Sequence, residues 1–200
     1  MKIRLLCLTF VVAAAFRAAA QEAPPAQTAA LPRTFRGMSL GMDIDALKTA
    51  LTQDTSLAFR GDSDVSLLPL RRQLVIDTEG YGFIKRAFFQ VEDTSAPGAP
   101  SPAESPSAAS TGGVFIMAFV LNTAKIDHYS VFTSFMEKYG EPVVLNPRMA
   151  IWEDGATRVF IERPLTVKYI DKAVFEKIAE SAKARESAGT VLREQFLDEF

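Results

Sequence analysis

Eight apolar residues in a row, Val114 to Leu121, stand out in a chain whose apolar positions, past its first twenty residues, mostly alternate with polar ones or recur in stripes. A strand with one wet face alternates, because successive side chains point to opposite sides of the sheet. Here neither side is polar: Val114, Ile116, Ala118 and Val120 would share one, and Phe115, Met117, Phe119 and Leu121 the other. The run is too short to cross a bilayer and too rich in β-branched and aromatic residues to favour a helix. It is expected to form the central strand of a sheet covered on both faces. Before it, Gln73 to Thr78 and Phe83 to Val91 read as strands around a turn at Glu79-Gly80. On the second of these, Phe83, Ala87, Phe89 and Val91 are expected on one face, with Ile84 and Phe88 on the other.

Helical spacing occurs three times. Asp43 is a suitable N-cap for a helix with Ile44, Leu47 and Leu51 on one side. Asp127 can cap a second one carrying Tyr129, Phe132, Phe135, Met136 and Tyr139, ended by Gly140 and Pro142. Short alternating strands follow at Met149 to Glu153, Thr157 to Arg163 and Leu165 to Ile170, with Asp154-Gly155 as a hairpin turn. From Asp171 a third stripe runs through Val174, Phe175, Ile178, Ala179 and Ala182. Gly189 should weaken this helix, and Thr190 would cap a separate last piece with Val191, Leu192 and Phe196. The expected fold class is α+β: helix then antiparallel strands, twice over, with the helices on one face of the sheet and a C-terminal helix.

The stretch Gly37-Met38-Ser39-Leu40-Gly41-Met42, capped by Asp43 and followed by Leu47 and Leu51, resembles the G-M-[ST]-x-x-x-V start of the SmpA/OmlA (BamE-like) envelope proteins. It is also similar to the related tandem repeats of β-lactamase-inhibitory-protein-like domains. The second half resembles uncharacterised exported proteins of spirochaetes, through Lys138-Tyr139-Gly140-Glu141-Pro142, Trp152 and the run from Leu165 to Asp171. The resemblance implies a domain that works by protein–protein contact in the periplasm or outside the cell. The lipobox of the BamE-like lipoproteins is missing.

The start of the chain agrees with export. Lys2 and Arg4 precede an apolar core from Leu5 to Phe16, and Ala18-Ala19-Ala20 forms a cleavage site before Gln21, so residues 1–20 read as a signal peptide. Cleavage would remove Cys7, the single cysteine, and with it any disulfide or thiolate ligand. It would also remove Lys2, Arg4 and Arg17 but no acid, so 22 basic and 24 acidic residues become a mature net charge of −5. That balance offers no footprint for nucleic acid, and the pairs Arg71-Arg72 and Lys85-Arg86 read as solvated sheet edges. Residues 21–33 and 93–113, rich in Pro and Ala, read as a linker and a disordered hairpin insertion, leaving a domain over 34–172 and a helical segment over 173–200. No span would cross a membrane in the mature chain.

Candidate chemistry is sparse. His128 is the single histidine and sits at a helix start beside Asp127, with no nucleophile elbow elsewhere. Asp62-Ser63-Asp64 opens like a calcium loop, then lacks the glycine and the closing acid. No catalytic, cofactor or metal residue is assigned, and the chain is expected not to be an enzyme. Large apolar side chains are the candidate partner contacts: Phe115, Met117 and Phe119 on the central strand, Trp152 and Phe160 on later strands, and Phe175, Ile178, Val191 and Phe196 on the C-terminal helix. Phe160 shares its strand face with Arg158 and Glu162, so it is expected to be half-exposed or under a lid. The function expected is a secreted or periplasmic interaction domain, an envelope adaptor or assembly factor that binds another envelope protein, with weak self-association. The alternatives are a carrier of a small apolar ligand between sheet and helix, and an inhibitor of an extracytoplasmic enzyme.

Overall fold

A computed structural model of the protein describes residues 30–68, 73–92 and 112–197. The first elements form a small hairpin, β1 (Thr34–Phe35) with β2 (Met38–Ser39). Helix α1 (Ile44–Gln53) follows, capped by Asp43, whose carboxylate accepts from the amides of Asp45 and Ala46 at 3.0 and 2.8 Å. A 3-10 turn leads into β3 (Val65–Leu68), β4 (Gln73–Glu79), β5 (Ile84–Glu92) and β6 (Val114–Leu121). The order then repeats as α2 (His128–Tyr139), β7 (Val144–Leu145), β8 (Met149–Glu153), β9 (Thr157–Glu162) and β10 (Thr166–Asp171). Helix α3 (Lys172–Leu197) follows β10.

Strands β3 to β10 make one antiparallel sheet in the order β3-β4-β5-β6-β10-β9-β8-β7. Each half is a helix followed by a four-stranded meander, and the halves join last strand to last strand. The register makes the duplication explicit. Ala118 pairs with Lys168 at the join, Phe88 lies opposite Ala118, and Phe160 lies opposite Lys168. Phe88 and Phe160 are therefore equivalent, as are Arg86 and Arg158 two residues before them. Phe88 and Ala118 are 30 positions apart in sequence, Phe160 and Lys168 only eight. The 22 extra residues of the first half contain the Pro-rich stretch, whose residues 93–111 lie outside the described ones. Capping is duplicated too: Asp43 and Asp127 each precede by four a buried apolar residue, Leu47 and Val131. The tandem α+β layout expected from the periodicity is the observed fold.

The main core lies between the sheet and the two short helices. It joins Leu47 and Leu51 of α1 and Val131 of α2 to Ile76, Phe89, Met117, Phe119, Val167, Val159 and Trp152 on the strands. The cover over the central strands is not the helix pair alone. Phe35 of the hairpin packs against Phe119 with the rings tilted, 4.2 Å between centroids, and lies 6.3 Å from Tyr169. The amide of Gly41 donates to the carbonyl of Val114 at 2.7 Å, and the amide of Val114 donates to the carbonyl of Met42 at 2.8 Å. At this crossing a Cβ on Gly113 would sit 2.6 Å from the carbonyl oxygen of Gly41, so no larger residue fits.

Several expectations need correction. The linker does not extend to residue 33: Leu31 is buried and its amide donates to Asp154 at 2.9 Å, while Arg33 pairs with Asp171. The insertion ends earlier than 113, because Gly113 is buried and accepts from the amide of Glu92. Phe83 is exposed and Ile84 buried, the reverse of the expected faces, because a register shift between Ile84 and Arg86 breaks the alternation. Tyr129 is exposed although its spacing suggested core; Val131 takes the buried position. Helix α3 runs unbroken through Gly189, and Thr190 donates back to the carbonyl of Glu186 at 3.1 Å instead of capping.

Candidate interaction face

Strand alternation that sends Met117 and Phe119 into the main core sends Ala118 and Val120 to the second face of the sheet. The strand does not alternate throughout. A shift between Gln90 and Val91 leaves Val114 and Met117 both in the main core, so Phe115 and Ile116 together turn to the second face. Phe115, Ala118 and Ile170 are buried apolar residues outside the main core cluster. What covers them is the start of α3, which packs on β6 and β10 with Val174, Ile178 and Ala179 half-buried. Asp171 caps this helix by accepting from the amide of Val174. Ion pairs fix its position: Lys172 reaches Glu153 on β8 at 2.6 Å, and Lys177 reaches Glu92 on β5 at 3.4 Å. Hydrogen bonds from Arg158 and Lys172 pull the Glu153 carboxyl from its usual 4.5 down to about 2. Its contribution to stability is therefore complete above pH 4.5 and is lost as pH falls towards 2. Glu153→Gln should cost about 1–2 kcal/mol in a urea melt at pH 7, and much less near pH 2.

Beyond α3 the second face stays partly open. One cross-strand row reads Asp77, Phe88, Ala118, Lys168, Phe160, Ile151 and Val144. Its two phenylalanines are half-buried, and each follows an arginine paired with an acid of the preceding strand. Arg86 pairs with Asp77 at 2.5 Å and lies 4.9 Å over the Phe88 ring. Arg158 pairs with Glu153, and Lys168 with Glu162, both at 2.6 Å. The face thus offers apolar area framed by charges already satisfied within the chain, which keeps the desolvation cost of covering it low.

The sequence-derived candidates divide sharply on burial. Phe115, Met117, Phe119 and Trp152 are fully buried, and the Trp152 indole donates to the carbonyl of Gly140 at 2.8 Å. They support the surface and cannot touch a partner while the domain is folded. Phe160, Phe175 and Ile178 lie on the second face or beside it. The side chains of Val191 and Phe196 lie outside the described residues. Phe88 is not singled out by the sequence pattern; Arg86, two residues before it on the same strand face, was the available signal.

Of the polar candidates, Asp62, Asp64 and Asp127 are each engaged within the chain. A cleft of about 220 Å³ gathers Arg60, Asp64, Asp77, Glu79 and Arg86. Burial works against the charge of Asp64, yet hydrogen bonds from the Arg60 side chain and amide hold its carboxyl below the usual range. Asp62 turns the other way, to Lys48 at 2.7 Å, so the calcium-like pair does not converge. Among the described residues no group of three His, Cys, Asp or Glu side chains gathers to hold a metal ion, and no helix is long and apolar enough to cross a membrane.

Asp127 accepts from the amide and hydroxyl of Ser130 at 2.9 and 2.6 Å, and His128 stacks on Phe132 with Nε2 buried and unpartnered. Burial, and after it the nearby Arg163 charge, lower the imidazole pKa, with Asp127 opposing them. The unfolded chain binds the proton first, so stability should fall as pH drops through about 6.5. Thermal melts between pH 7.5 and 5.5 should show that slope in the native chain and not in His128→Gln.

The family model of the TP0088 domain matches residues 33–96 and 110–181, leaving out the middle of the Pro-rich stretch. No curated protein matches the chain, and no solved structure does. The two matched segments take in both helix-and-meander halves, together with the Arg-x-Phe strand of each. The chain belongs to the TP0088 domain family.

Proposed function

We propose that the chain is an exported, non-enzymatic domain that binds another protein of the cell envelope on the second face of its sheet, as an adaptor or assembly factor. The observation that carries this reading is the pair Phe88 and Phe160. They are half-buried at equivalent positions of the two halves, on an apolar surface whose charges are paired within the chain. Such a surface suits a partner that supplies apolar contact and no strong charge. The signal-like start of the chain and the resemblance of Gly37 to Met42 to BamE-like envelope proteins support the compartment.

A photo-crosslinking amino acid at Val120, on the open part of this face, tests the reading in cells of the source organism. A discrete protein adduct should form with the native face and disappear in the Phe88→Ser/Phe160→Ser double variant. Both side chains are partly exposed, so that variant should keep the native circular dichroism spectrum. Native mass spectrometry that finds a retained small molecule, with no protein adduct, would replace the adaptor by a carrier.

A further inference from the structure

One end of the sheet combines exposed aromatic side chains with unpaired cations. The β4–β5 turn, the loop after β6 and the β9–β10 turn meet there. The amide of Asn122 donates to the carbonyl of Phe83 at 2.8 Å, its side chain donates to Gly82, and the amide of Leu121 donates to the carbonyl of Leu165 at 2.9 Å. Tyr81 and Phe83 at the first turn are 61% and 59% exposed, and Tyr129 in the first turn of α2 is 73% exposed. No local packing explains three large aromatics in water on one turn and the first turn of the neighbouring helix.

The charges at this end favour one kind of partner. Lys85, Lys125 and Arg163 are exposed, and among the described residues none of them has an ion-pair partner. Of the nearby acids, Asp54 pairs with Arg36, and Asp127 caps α2 while keeping its charge. Glu79 lines the cleft with Arg60 and Arg86. A local positive surplus on an acidic protein, with aromatic tips projecting beyond it, is complementary to a surface of anionic headgroups over an apolar layer. Tyrosine and phenylalanine settle at that boundary while lysine and arginine reach the headgroups.

We infer that this end of the sheet docks peripherally on an anionic lipid bilayer through Tyr81, Phe83 and Tyr129, with Lys85, Lys125 and Arg163 at headgroup level. The strands then stand upright on the membrane and the second face remains free for a protein. Different residues carry the two readings, so either can fail alone.

Flotation of the mature chain with two kinds of vesicle tests the inference: pure phosphatidylcholine, and phosphatidylcholine doped with phosphatidylserine. The protein should float with the doped vesicles, weakly or not at all with the neutral ones, and less as salt rises. Lys85→Glu/Lys125→Glu should weaken binding about a hundredfold. Tyr81→Ser/Phe83→Ser/Tyr129→Ser should abolish flotation, with the circular dichroism melt unchanged. Lys138→Glu, at the far end of α2, should bind like the native chain. Absence of binding, equal binding to both vesicle types, or binding that survives both sets of substitutions in folded protein would overturn the inference.

Discussion

Replacing Phe119 with alanine is expected to remove about 3–5 kcal/mol of stability, enough to leave a domain of ordinary stability partly unfolded at 37 °C. Phe119 is fully buried where β5, β6, β10 and the N-terminal hairpin meet. Its ring lies 4.2 Å from that of Phe35, 5.8 Å from Phe89 and 6.1 Å from Tyr169. Truncation removes the transfer energy of the ring and leaves a cavity that a sheet paired on both sides cannot close. Phe119→Leu should cost much less, about 1–2 kcal/mol, because most of the volume is kept. Phe35→Ala should weaken the fold without affecting strand pairing, since only the hairpin side of the contact is lost. Urea melts of the three variants give the comparison. A loss below about 1.5 kcal/mol for Phe119→Ala would mean that the hairpin sinks into the space and that the central packing is not rigid.

Ending the chain after Ala173 is the second change with a large expected effect. It removes the turns of α3 that carry Val174, Ile178 and Ala179, together with the Lys177–Glu92 pair. Phe115, Ala118 and Ile170 would then face water beside Phe88 and Phe160. Uncovering two large side chains and a methyl group costs at least about 3 kcal/mol, at the usual 1.5–3 kcal/mol for each fully buried large side chain. The main core lies on the other face, so the shortened protein should still fold. It should bind a hydrophobic dye, elute early in gel filtration, and lose stability in a urea melt. Val174→Asp/Ile178→Asp, which keeps the chain length, should reproduce the dye binding. A truncated protein that is monomeric, dye-silent and as stable as the parent would show that α3 does not cover the face.

Much of this architecture was readable along the chain. The Asp43 and Asp127 caps, the stripe of Leu47 and Leu51 and the alternation of β9 and β10 are local signals, set by backbone hydrogen bonding and side-chain direction. The uninterrupted run from Val114 to Leu121 correctly announced a strand buried on both sides. The candidate face was less legible. Phe160 could be picked out because charged residues flank it on both sides of its strand face, whereas Phe88 has Arg86 on one side and the uncharged Gln90 on the other; the register shift at Ile84 reversed only the faces of Phe83 and Ile84. Phe115 illustrates the same effect on β6, where strict alternation would have placed it with Met117 and Phe119.

By itself the sequence determined the two capped helices, the six longer strands, their order, the doubled helix-and-strands plan and the surplus of apolar side chains at the centre. Each of these depends on neighbours a few residues away, within reach of helix and strand periodicity. The hairpin β1–β2 and the short strands β3 and β7 it did not show. Tertiary structure alone decided how the two halves join, β6 against β10, and that the hairpin with Phe35 shares the cover of one face while α3 covers part of the other. It also decided which phenylalanines remain at the surface. Those outcomes turn on register, on bulges and on contacts such as Leu31 with Asp154 and Lys177 with Glu92, which lie 123 and 85 residues apart. A one-residue slip in pairing reverses every face beyond it, and no local pattern carries that information.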